Sequence, residues 1–412
     1  MRPQAKPAKG APTGMRATPD SLGQSSCTTI YFVAGEPSAD NHGAALMRAL
    51  RKLDPDVHFI GRGGPQMREV AGPELENWMA DAAVLGLWEV LAKYGYFRRQ
   101  FRETLREIGE RKPDAVILMD YPGFNLRLAE ALRKQSAGPK IIYYISPQLW
   151  AWNRGRIRNM SRFIDLVLCI FPFEIDLYKR AGLSAVFVGH PMIERLQEAK
   201  LAVERDPNLI GLFPGSRSRE VRKIFPIMLE TARLLSHSNS QLRFEVAAAS
   251  EALGREIDRM LAPRDRQIIQ IKIGRTLDIM QRAAVGIIAS GSATLEAAYF
   301  RMPFVLVYKV AWLTYAAARA VVRVRFLGMP NVLADREVVP EFIQHRANPR
   351  TIARAAWQLR ENVDARQRMS AAFDEIIGQL GEGGASEKAA SAILAAIREH
   401  SSLGVESPSS LP

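Results

Sequence analysis

Short, uninterrupted apolar runs alternate with amphipathic helical patterns along most of this 412-residue chain. Apolar runs without polar alternation are typical of strands buried on both faces, as in a parallel sheet covered by helices. A first series comprises residues 27–34, 115–119, 140–145 and 166–170, and a second comprises residues 209–213, 242–247, 268–271, 285–289 and 304–308. A charged stretch, residues 196–208, separates the two series. The pattern therefore predicts an α/β chain with two doubly wound domains and a cleft between them.

The composition changes at the ends of this pattern. Residues 1–26 are rich in Pro, Ala, Gly and Ser, which predicts a disordered leader, and Met15 is an alternative start that leaves every motif in place. We expect the first domain to span residues 27–195 and the second residues 208–350, with C-terminal helices over residues 351–400. Ligands of open α/β sheets bind beyond the carboxyl ends of the strands, so the candidate site residues are those in the turns that follow strands.

The formal net charge of +13 favours an anionic partner, which leaves nucleic acid, an acidic membrane surface and a phosphorylated substrate as classes. No nucleic-acid recognition motif accompanies the charge, so nucleic acid fits poorly. The two cysteines, Cys27 and Cys169, are far apart and lack metal-ligand spacing, which predicts a reducing compartment and neither a disulfide framework nor a zinc site. No apolar run is long enough to span a bilayer, so we expect a cytoplasmic protein that is able to lie on a membrane.

Two strand-to-helix corners in the second series have the composition of anion-binding sites. In the first corner, Ser216 and Arg217 follow a Pro-Gly turn, and their hydroxyl and guanidinium suit a diphosphate. In the second, Ser292, Thr294 and Glu296 follow a Ser-Gly turn. The two hydroxyls there suit phosphate or helix capping, and the carboxylate suits ribose hydroxyls or the first turn of a helix. Two such corners in one domain predict a nucleotide-activated ligand that is held without a metal.

The first series offers acids in equivalent positions. Asp120 ends an apolar strand, where its carboxylate serves either as a base facing the cleft or as the cap of the next helix. Glu36, Ser38 and Asp40 begin the first helix, as cleft residues or as a capping cluster. Asn125 follows Asp120 in the same turn and is a further candidate cleft residue.

A basic, aromatic segment lies between the first two apolar runs. Trp78, Leu87 and Trp88 precede a helical pattern in which Arg98, Arg102 and Arg106 share one side and an apolar stripe the neighbouring side. This pattern is typical of a helix lying on an anionic membrane, and equally of an amphipathic helix whose stripe packs in the core. The sequence leaves both interpretations open.

Several strings together carry a specific resemblance: Gly-Glu-Pro-Ser-Ala-Asp at residues 35–40, Gly-Arg-Gly-Gly-Pro-Gln-Met at 61–67, Tyr-Ile-Ser-Pro-Gln-Leu-Trp-Ala-Trp at 144–152, Pro-Gly-Ser-Arg at 214–217 and Met-Pro-Asn at 329–331. In order and over residues 28–395, the chain resembles the lipid-A-disaccharide synthases. The resemblance implies a GT-B fold of two Rossmann-like domains facing across a cleft. It implies an inverting transfer of 2,3-diacylglucosamine from UDP-2,3-diacylglucosamine to 2,3-diacylglucosamine 1-phosphate, forming the β-1,6 disaccharide of lipid A biosynthesis and UDP.

The same resemblance assigns roles to the candidate residues. It implies Asp120 as the base, the two corners with Asn331 as the UDP-sugar site, and the acids of the first helix with Asn125 as cleft residues. Family members often carry a second acid where Gly123 stands here, which leaves Asp120 as the acid of this turn. No Asp-x-Asp pair follows a strand, so we expect neither a metal nor another cofactor. The implied location is the cytoplasmic face of the inner membrane, as a monomer or as a dimer that exchanges C-terminal helices.

Two alternatives share the predicted architecture. One is an isomerase similar to UDP-N-acetylglucosamine 2-epimerase, although its expected histidine and acidic set is not apparent in the sequence. The other is a membrane-docked protein that binds a nucleotide sugar without turnover. An Asp120→Asn variant is the test: transfer that survives at a near wild-type rate contradicts the synthase, and any turnover contradicts the binding protein.

Overall fold

The computed structural model describes residues 27–79, 94–135, 138–147, 154–311 and 325–403, and these ranges form two parallel sheets flanked by helices. We refer to the first sheet with its helices as the N-unit and to the second as the C-unit. The prediction of two doubly wound α/β domains is confirmed.

The N-unit sheet has seven strands within the described ranges, in the order β3-β2-β1-β4-β5-β6-β7, and every pair is parallel. Its strands are β1 (Thr29–Ala34), β2 (His58–Gly63), β3 (Leu75–Asn77), β4 (Ala115–Met119), β5 (Lys140–Tyr144), β6 (Leu166–Cys169) and β7 (Ala185–Phe187). Its helices are α1 (Pro37–Leu53), α2 (Pro65–Ala71), α3 (Tyr94–Arg111), α4 (Pro122–Arg133), α5 (Arg154–Met160) and α6 (Phe173–Lys179).

The C-unit sheet has six parallel strands in the described part of the chain, in the order β10-β9-β8-β11-β12-β13. Its strands are β8 (Asp206–Phe213), β9 (Arg243–Ala248), β10 (Ile269–Ile273), β11 (Ala283–Ala289), β12 (Phe304–Tyr308) and β13 (Glu341–Ile343). The remaining helices are α7 (Met192–Glu198), α8 (Ser218–Ser238), α9 (Glu251–Asp258), α10 (Thr276–Arg282), α11 (Ala293–Tyr299), α12 (Met329–Ala334), α13 (Pro349–Glu361), α14 (Val363–Gly378) and α15 (Ala385–Leu403).

Both sheets reverse their strand order at an equivalent point. The chain moves outward from β1 through β2 and β3 and then returns to pair β4 with β1, and β8 and β11 are related in the same way. In such sheets the crevice at the reversal is the usual ligand site, because the turns leaving the two central strands diverge to opposite faces. Asp120 lies at the first reversal, and the two anion-binding corners lie at the second.

Four strands, β2, β3, β7 and β13, were not predicted. β2 lacks the uninterrupted apolar run of the predicted strands, because its sequence is His-Phe-Ile-Gly-Arg-Gly. Gly61 is necessary there: its φ is +123°, and a Cβ atom would lie 2.2 Å from the backbone oxygen of Phe32 in β1. Only glycine fits this approach of two backbones.

The chain crosses between the two units twice, and the two crossings touch each other. Helix α7, within which the predicted first-domain end at residue 195 falls, buries its apolar side in the C-unit core. Helix α15 packs against α1 and β5 in the N-unit core. At the meeting point the backbone N–H of His190 donates to the carbonyl oxygen of Leu380 at 2.8 Å. Gly189 and Gly381 lie against one another there with φ of +90° and +91°.

Helix α3 carries the basic, aromatic pattern, and its apolar stripe lies against the N-unit core. Arg62 of β2 is 4% exposed and anchors the helix, because its guanidinium donates to Thr104 Oγ1 and Gln100 Oε1, both at 2.7 Å. Arg98, Arg102 and Arg106 are exposed. Across the described ranges, no helix combines the length and apolar character required to cross a bilayer.

The expectation for Trp78 is corrected by its burial. The indole is 1% exposed, its Nε1–H donates to the carbonyl oxygen of Ala34 at 2.7 Å, and its ring contacts Phe124 edge to face. A side chain in this position has no surface to offer to a membrane. Leu87 and Trp88, the other two apolar residues of that prediction, lie outside the described residues.

Candidate active site

The crevice at the N-unit reversal is formed by the turns after β1 and β4. The backbone N–H of Gly35 donates to Asp120 Oδ1 at 3.3 Å and joins the two turns. Glu36, which is exposed, directly follows Gly35 and precedes α1. The carboxyl groups of Glu36 and Asp120 are close enough to interact electrostatically.

The surroundings of Asp120 raise the pKa of its carboxyl group. Burial raises the pKa of this carboxyl to about 8, and the negative charge of Glu36 adds to the rise, while the N–H groups of Gly35 and Glu36 oppose it. Asp120 Oδ2 is buried and has no hydrogen-bond partner among the described residues. A carboxyl group of this kind is able to accept a proton near neutral pH, which is the requirement for a general base.

The turn that carries Asp120 has an unusual backbone. Asp120 and Tyr121 are consecutive non-glycine residues with φ of +46° and +42°. Asn125 holds this turn, since its Nδ2 donates to the carbonyl oxygens of Met119 and Asp120, each at 2.9 Å. Asn125 is fully buried. The expectation that Asn125 faces the cleft is therefore corrected: its amide supports the turn from behind.

A cavity of about 550 Å³ opens beside this turn. Its lining consists of Glu36, Phe97, Arg98, Phe101, Tyr121, Pro122, Gly123, Phe124 and Arg127. Four aromatic rings make the cavity mainly apolar, and two guanidinium groups border it. Arg98 and Arg127 have no ion-pair partner within the part of the chain that the structure describes. The cavity thus suits a ligand with an apolar body and an anionic group.

The acids and hydroxyl at the start of α1 separate into two environments. Glu36 and Ser38 are exposed, as a cleft residue must be. Asp40 is 3% exposed, and its oxygens accept the backbone N–H groups at the start of α2: those of Gly64 at 3.1 Å, Gln66 at 3.0 Å and Met67 at 2.9 Å. Asp40 is a helix cap delivered from another helix, which corrects its expected role in the cleft.

The two anion-binding corners are neighbours in the C-unit, because β8 and β11 pair with Phe213 beside Ile288. Gly215, with φ of +107°, turns the chain so that Ser216 and Arg217 are exposed at the start of α8. Arg217 Nη1 lies 3.3 Å from Glu220 Oε1. Both corners therefore open at the carboxyl edge of the sheet, at the starts of α8 and α11.

In the second corner, one of the two hydroxyl-bearing residues is exposed. Ser292 is exposed, whereas Thr294 is fully buried and its Oγ1 donates to the carbonyl oxygen of Gly291 at 2.7 Å. This internal bond corrects the expected phosphate contact of Thr294. Glu296 forms an ion pair with Arg195 of α7, a contact between the second corner and the first chain crossing.

The prediction for Asn331 is also corrected. Its Oδ1 accepts the N–H groups of Val338 and Val339 at 2.7 and 2.8 Å, and its Nδ2 donates to Val339 O and Glu341 Oε1 at 2.8 and 2.9 Å. Four bonds use the full capacity of the amide, and the residue is fully buried. Asn331 therefore closes the loop before β13 and has no group left for a nucleotide.

Sequence reasoning missed two residues that contact the candidate site residues. Tyr143, in the middle of β5, donates its hydroxyl to the carbonyl oxygen of Asp120, and Arg195 pairs with Glu296. Neither position carries a sequence signal, because a tyrosine in an apolar strand and an arginine on a short helix are ordinary. No three His, Cys, Asp or Glu side chains are grouped like metal ligands among the residues that the structure describes.

Comparisons with known proteins identify the family. A family model described as lipid-A-disaccharide synthetase matches residues 30–396. The lipid-A-disaccharide synthase of Geobacter sulfurreducens is 39% identical over 373 residues, which cover 89% of this chain and 96% of that protein. Lipid-A-disaccharide synthase 1 of Legionella pneumophila is 35% identical over 86% of this chain and 98% of its own length.

Solved structures with lower identity share the fold. UDP-GlcNAc 2-epimerase from Neisseria meningitidis, bound to UDP-GlcNAc, superposes with a TM-score of 0.59 at 13% identity and covers 89% of this chain and 100% of that one. The calicheamicin glycosyltransferase CalG4 gives a TM-score of 0.55 at 14% identity, over 90% and 99% of the two chains. The epimerase likeness is structural, whereas the family model and the curated relatives agree on one enzyme. This chain, with its two doubly wound units, belongs to the lipid-A-disaccharide synthase family of glycosyltransferases.

Proposed function

We propose that this chain transfers 2,3-diacylglucosamine from UDP-2,3-diacylglucosamine to 2,3-diacylglucosamine 1-phosphate, with inversion, and releases UDP. One observation supports the proposal most directly: a carboxyl group with a pKa of about 8, Asp120, lies at the sheet reversal next to an aromatic cavity bordered by arginines. In a member of this family, those are the groups that a base and an amphiphilic acceptor require.

In the proposed reaction the Asp120 carboxylate accepts the proton of the acceptor hydroxyl as the oxygen of that hydroxyl attacks the anomeric carbon of the donor. The bond between the anomeric carbon and the diphosphate breaks, and its electron pair leaves with UDP. Negative charge develops on the leaving diphosphate, where Ser216, Arg217, Ser292 and the N–H groups at the start of α8 are the available donors. Glu296 is proposed to accept ribose hydroxyls while Arg195 holds its carboxylate.

The acceptor is proposed to lie in the aromatic cavity. An acyl chain would occupy the space between Phe97, Phe101 and Phe124, and Arg98 with Arg127 would bind the 1-phosphate. The outward arginines of α3 would rest on anionic lipid at the cytoplasmic face of the inner membrane. Dimerisation by exchange of α15 stays a prediction, and in this structure α15 packs against α1 of its own chain.

The test is an assay with both lipid substrates in mixed micelles containing a metal chelator, with products identified by mass spectrometry. We expect a tetraacyl disaccharide phosphate with matching UDP release. An Asp120→Asn variant should lose on the order of a hundredfold or more in kcat, because general-base catalysis contributes that much. Asp56→Asn, at an exposed carboxylate far from the crevice in sequence, is the matched control and should be unchanged.

Two results would overturn the proposal. Near wild-type transfer by Asp120→Asn would remove its base, and UDP release or an epimerised sugar without disaccharide would indicate a hydrolase or an isomerase. Loss of disaccharide formation on chelation, restored by a divalent cation, would contradict the expectation that the transfer needs no metal.

A further inference from the structure

The backbone of the Asp120 turn stores strain. Two consecutive non-glycine residues, Asp120 and Tyr121, have left-handed φ values of +46° and +42°. This conformation is unfavourable for residues other than glycine, more so for tyrosine than for aspartate, so it persists where its surroundings enforce it. The structure should therefore contain groups that hold the turn, and their removal should let it relax.

Two side chains hold the turn from the buried side. Tyr143 is fully buried on β5, next to β4, and its hydroxyl donates to the carbonyl oxygen of Asp120. Asn125 Nδ2 donates to the same oxygen at 2.9 Å and to that of Met119. Burial raises the pKa of the Tyr143 phenol well above its ordinary value, so the hydroxyl keeps the proton that it donates. Asp120 O thus receives two donors from two different elements.

The backbone carbonyl and the carboxyl group of Asp120 are consequently held by different partners. Its carbonyl oxygen is bound by Tyr143 and Asn125, and its Oδ1 accepts the N–H of Gly35 at 3.3 Å. Oδ2 is the remaining oxygen, and it is the one without a hydrogen-bond partner in the described part of the chain. With the backbone and Oδ1 held, the direction of Oδ2 is determined by the turn.

We propose that Tyr143 is a positioning residue of the transfer reaction, whose hydroxyl holds the left-handed Asp120–Tyr121 turn so that the Asp120 carboxyl group keeps one orientation. The inference rests on the proposed role of Asp120 as the base. Tyr143 does not contact substrate and acts through the peptide of Asp120. Small displacements of a reacting group reduce rates steeply, and about 1 Å is able to cost on the order of a hundredfold.

The same strand supplies a matched control. Tyr144 is the next residue of β5, is equally buried, and points to the opposite face of the sheet, as successive strand residues do. Its hydroxyl lies towards Ser386 of α15, away from the Asp120 turn. Tyr143→Phe and Tyr144→Phe therefore each remove one buried hydroxyl from β5. Of the two, Tyr143→Phe removes the hydroxyl that bonds the Asp120 turn.

The experiment compares kcat and KM of both substrates for these two variants. We expect Tyr143→Phe to lower kcat by about tenfold or more with both KM values within about twofold of wild type, and Tyr144→Phe to leave kcat unchanged. UDP affinity, which depends on the C-unit, serves as the check that both variants are folded. Asn125→Ala is the second variant and should show the same selective loss of kcat.

A double variant separates positioning from a general structural effect. If Tyr143 acts through the carboxylate, Tyr143→Phe should add little to the loss already caused by Asp120→Asn. A full multiplicative loss in that background, or equal kcat for Tyr143→Phe and Tyr144→Phe, would overturn the inference. An active Asp120→Asn variant would instead overturn the proposed function, so the two failures are distinguishable.

Discussion

At the scale of single residues, the chemistry of the site depends on the contrast between two neighbouring carboxyl groups. Asp120 is partly buried, with Oδ2 fully so, and its carboxylate loses hydration, whereas Glu36 is exposed and stays hydrated. Desolvation and the negative charge of Glu36 both raise the pKa of Asp120, because each disfavours the ionised carboxylate. The N–H of Gly35 only partly offsets them.

This contrast predicts the pH dependence of the reaction. A base must be deprotonated to act, so kcat/KM should rise with pH and level off above a midpoint near 8, the pKa of Asp120. Glu36→Gln removes a charge that raises this pKa, and the midpoint should move to lower pH. The measurement is a pH profile of kcat/KM for wild type and variant.

Glu69→Gln, at an exposed acid on α2, is the control and should leave the midpoint where it is. A midpoint that stays near 8 in Glu36→Gln would contradict the electrostatic origin of the shift. A midpoint near the ordinary pKa of aspartate in the wild type would contradict the burial argument as a whole.

At the scale of elements, α3 resolves an ambiguity that its sequence alone leaves open. The period of its apolar residues is the same for a helix on a membrane and for one packed on a core. The structure packs this stripe on the N-unit and fixes it through Arg62, whose partners Gln100 and Thr104 lie 38 and 42 residues further along the chain. The arginine side of the helix stays exposed and remains available for anionic lipid.

We predict that Arg102→Glu weakens binding to vesicles containing anionic lipid by about tenfold or more. Each basic side chain near such a surface contributes about 1 kcal/mol, and the reversal replaces an attraction by a repulsion. Vesicle cosedimentation at low ionic strength is the measurement, and the difference should shrink as salt is added. Arg350→Glu, at the start of α13, is the control. Equal weakening by both variants would indicate net charge and not this helix.

The sequence predicts elements better than it predicts the partners of individual side chains. Apolar runs predicted nine of the thirteen strands in the described ranges, and turns after strands predicted the positions of Asp120 and of both corners, because these signals are local. Asp40, Asn331 and Trp78 were misassigned because their partners are distant or unremarkable in sequence. The indole of Trp78 bonds a carbonyl 44 residues away, and Asn331 is satisfied by backbone groups of the loop that follows. The sequence around a polar side chain is the same whether that side chain faces a ligand or a buried backbone amide.

At the scale of the whole molecule, the two chain crossings between the units contact each other. The two crossings contact each other through His190 and Leu380 and through Gln197 Nε2, which donates to the carbonyl oxygen of Glu382 at 3.1 Å. Arg195, on the first crossing, pairs with Glu296 at the second anion-binding corner. The junction is therefore directly connected to the proposed nucleotide side.

The junction should be sensitive to side chains that its backbone does not accept. Gly381 has φ of +91°, so Gly381→Ala should lower the free energy of unfolding by about 1–2 kcal/mol. Gly378→Ala, three residues earlier at the end of α14, is the control: a Cβ there meets nothing within 4 Å and the φ is not positive. It should be neutral or slightly stabilising, since alanine favours helix. Equal denaturant midpoints for both variants would contradict the expected strain.

The side-by-side passage of the chain at Gly189 and Gly381 has a mechanical consequence. Two connections far apart would permit one rotation of one unit against the other, about the line that joins them, and would oppose the rest. Two connections that touch act as a single pivot, and rotation about that point stretches neither. Groups far from the pivot then move much further than the pivot itself. A small change of torsion angle at a few glycines would thus translate into a wide change in the distance between the acceptor cavity and the nucleotide corners.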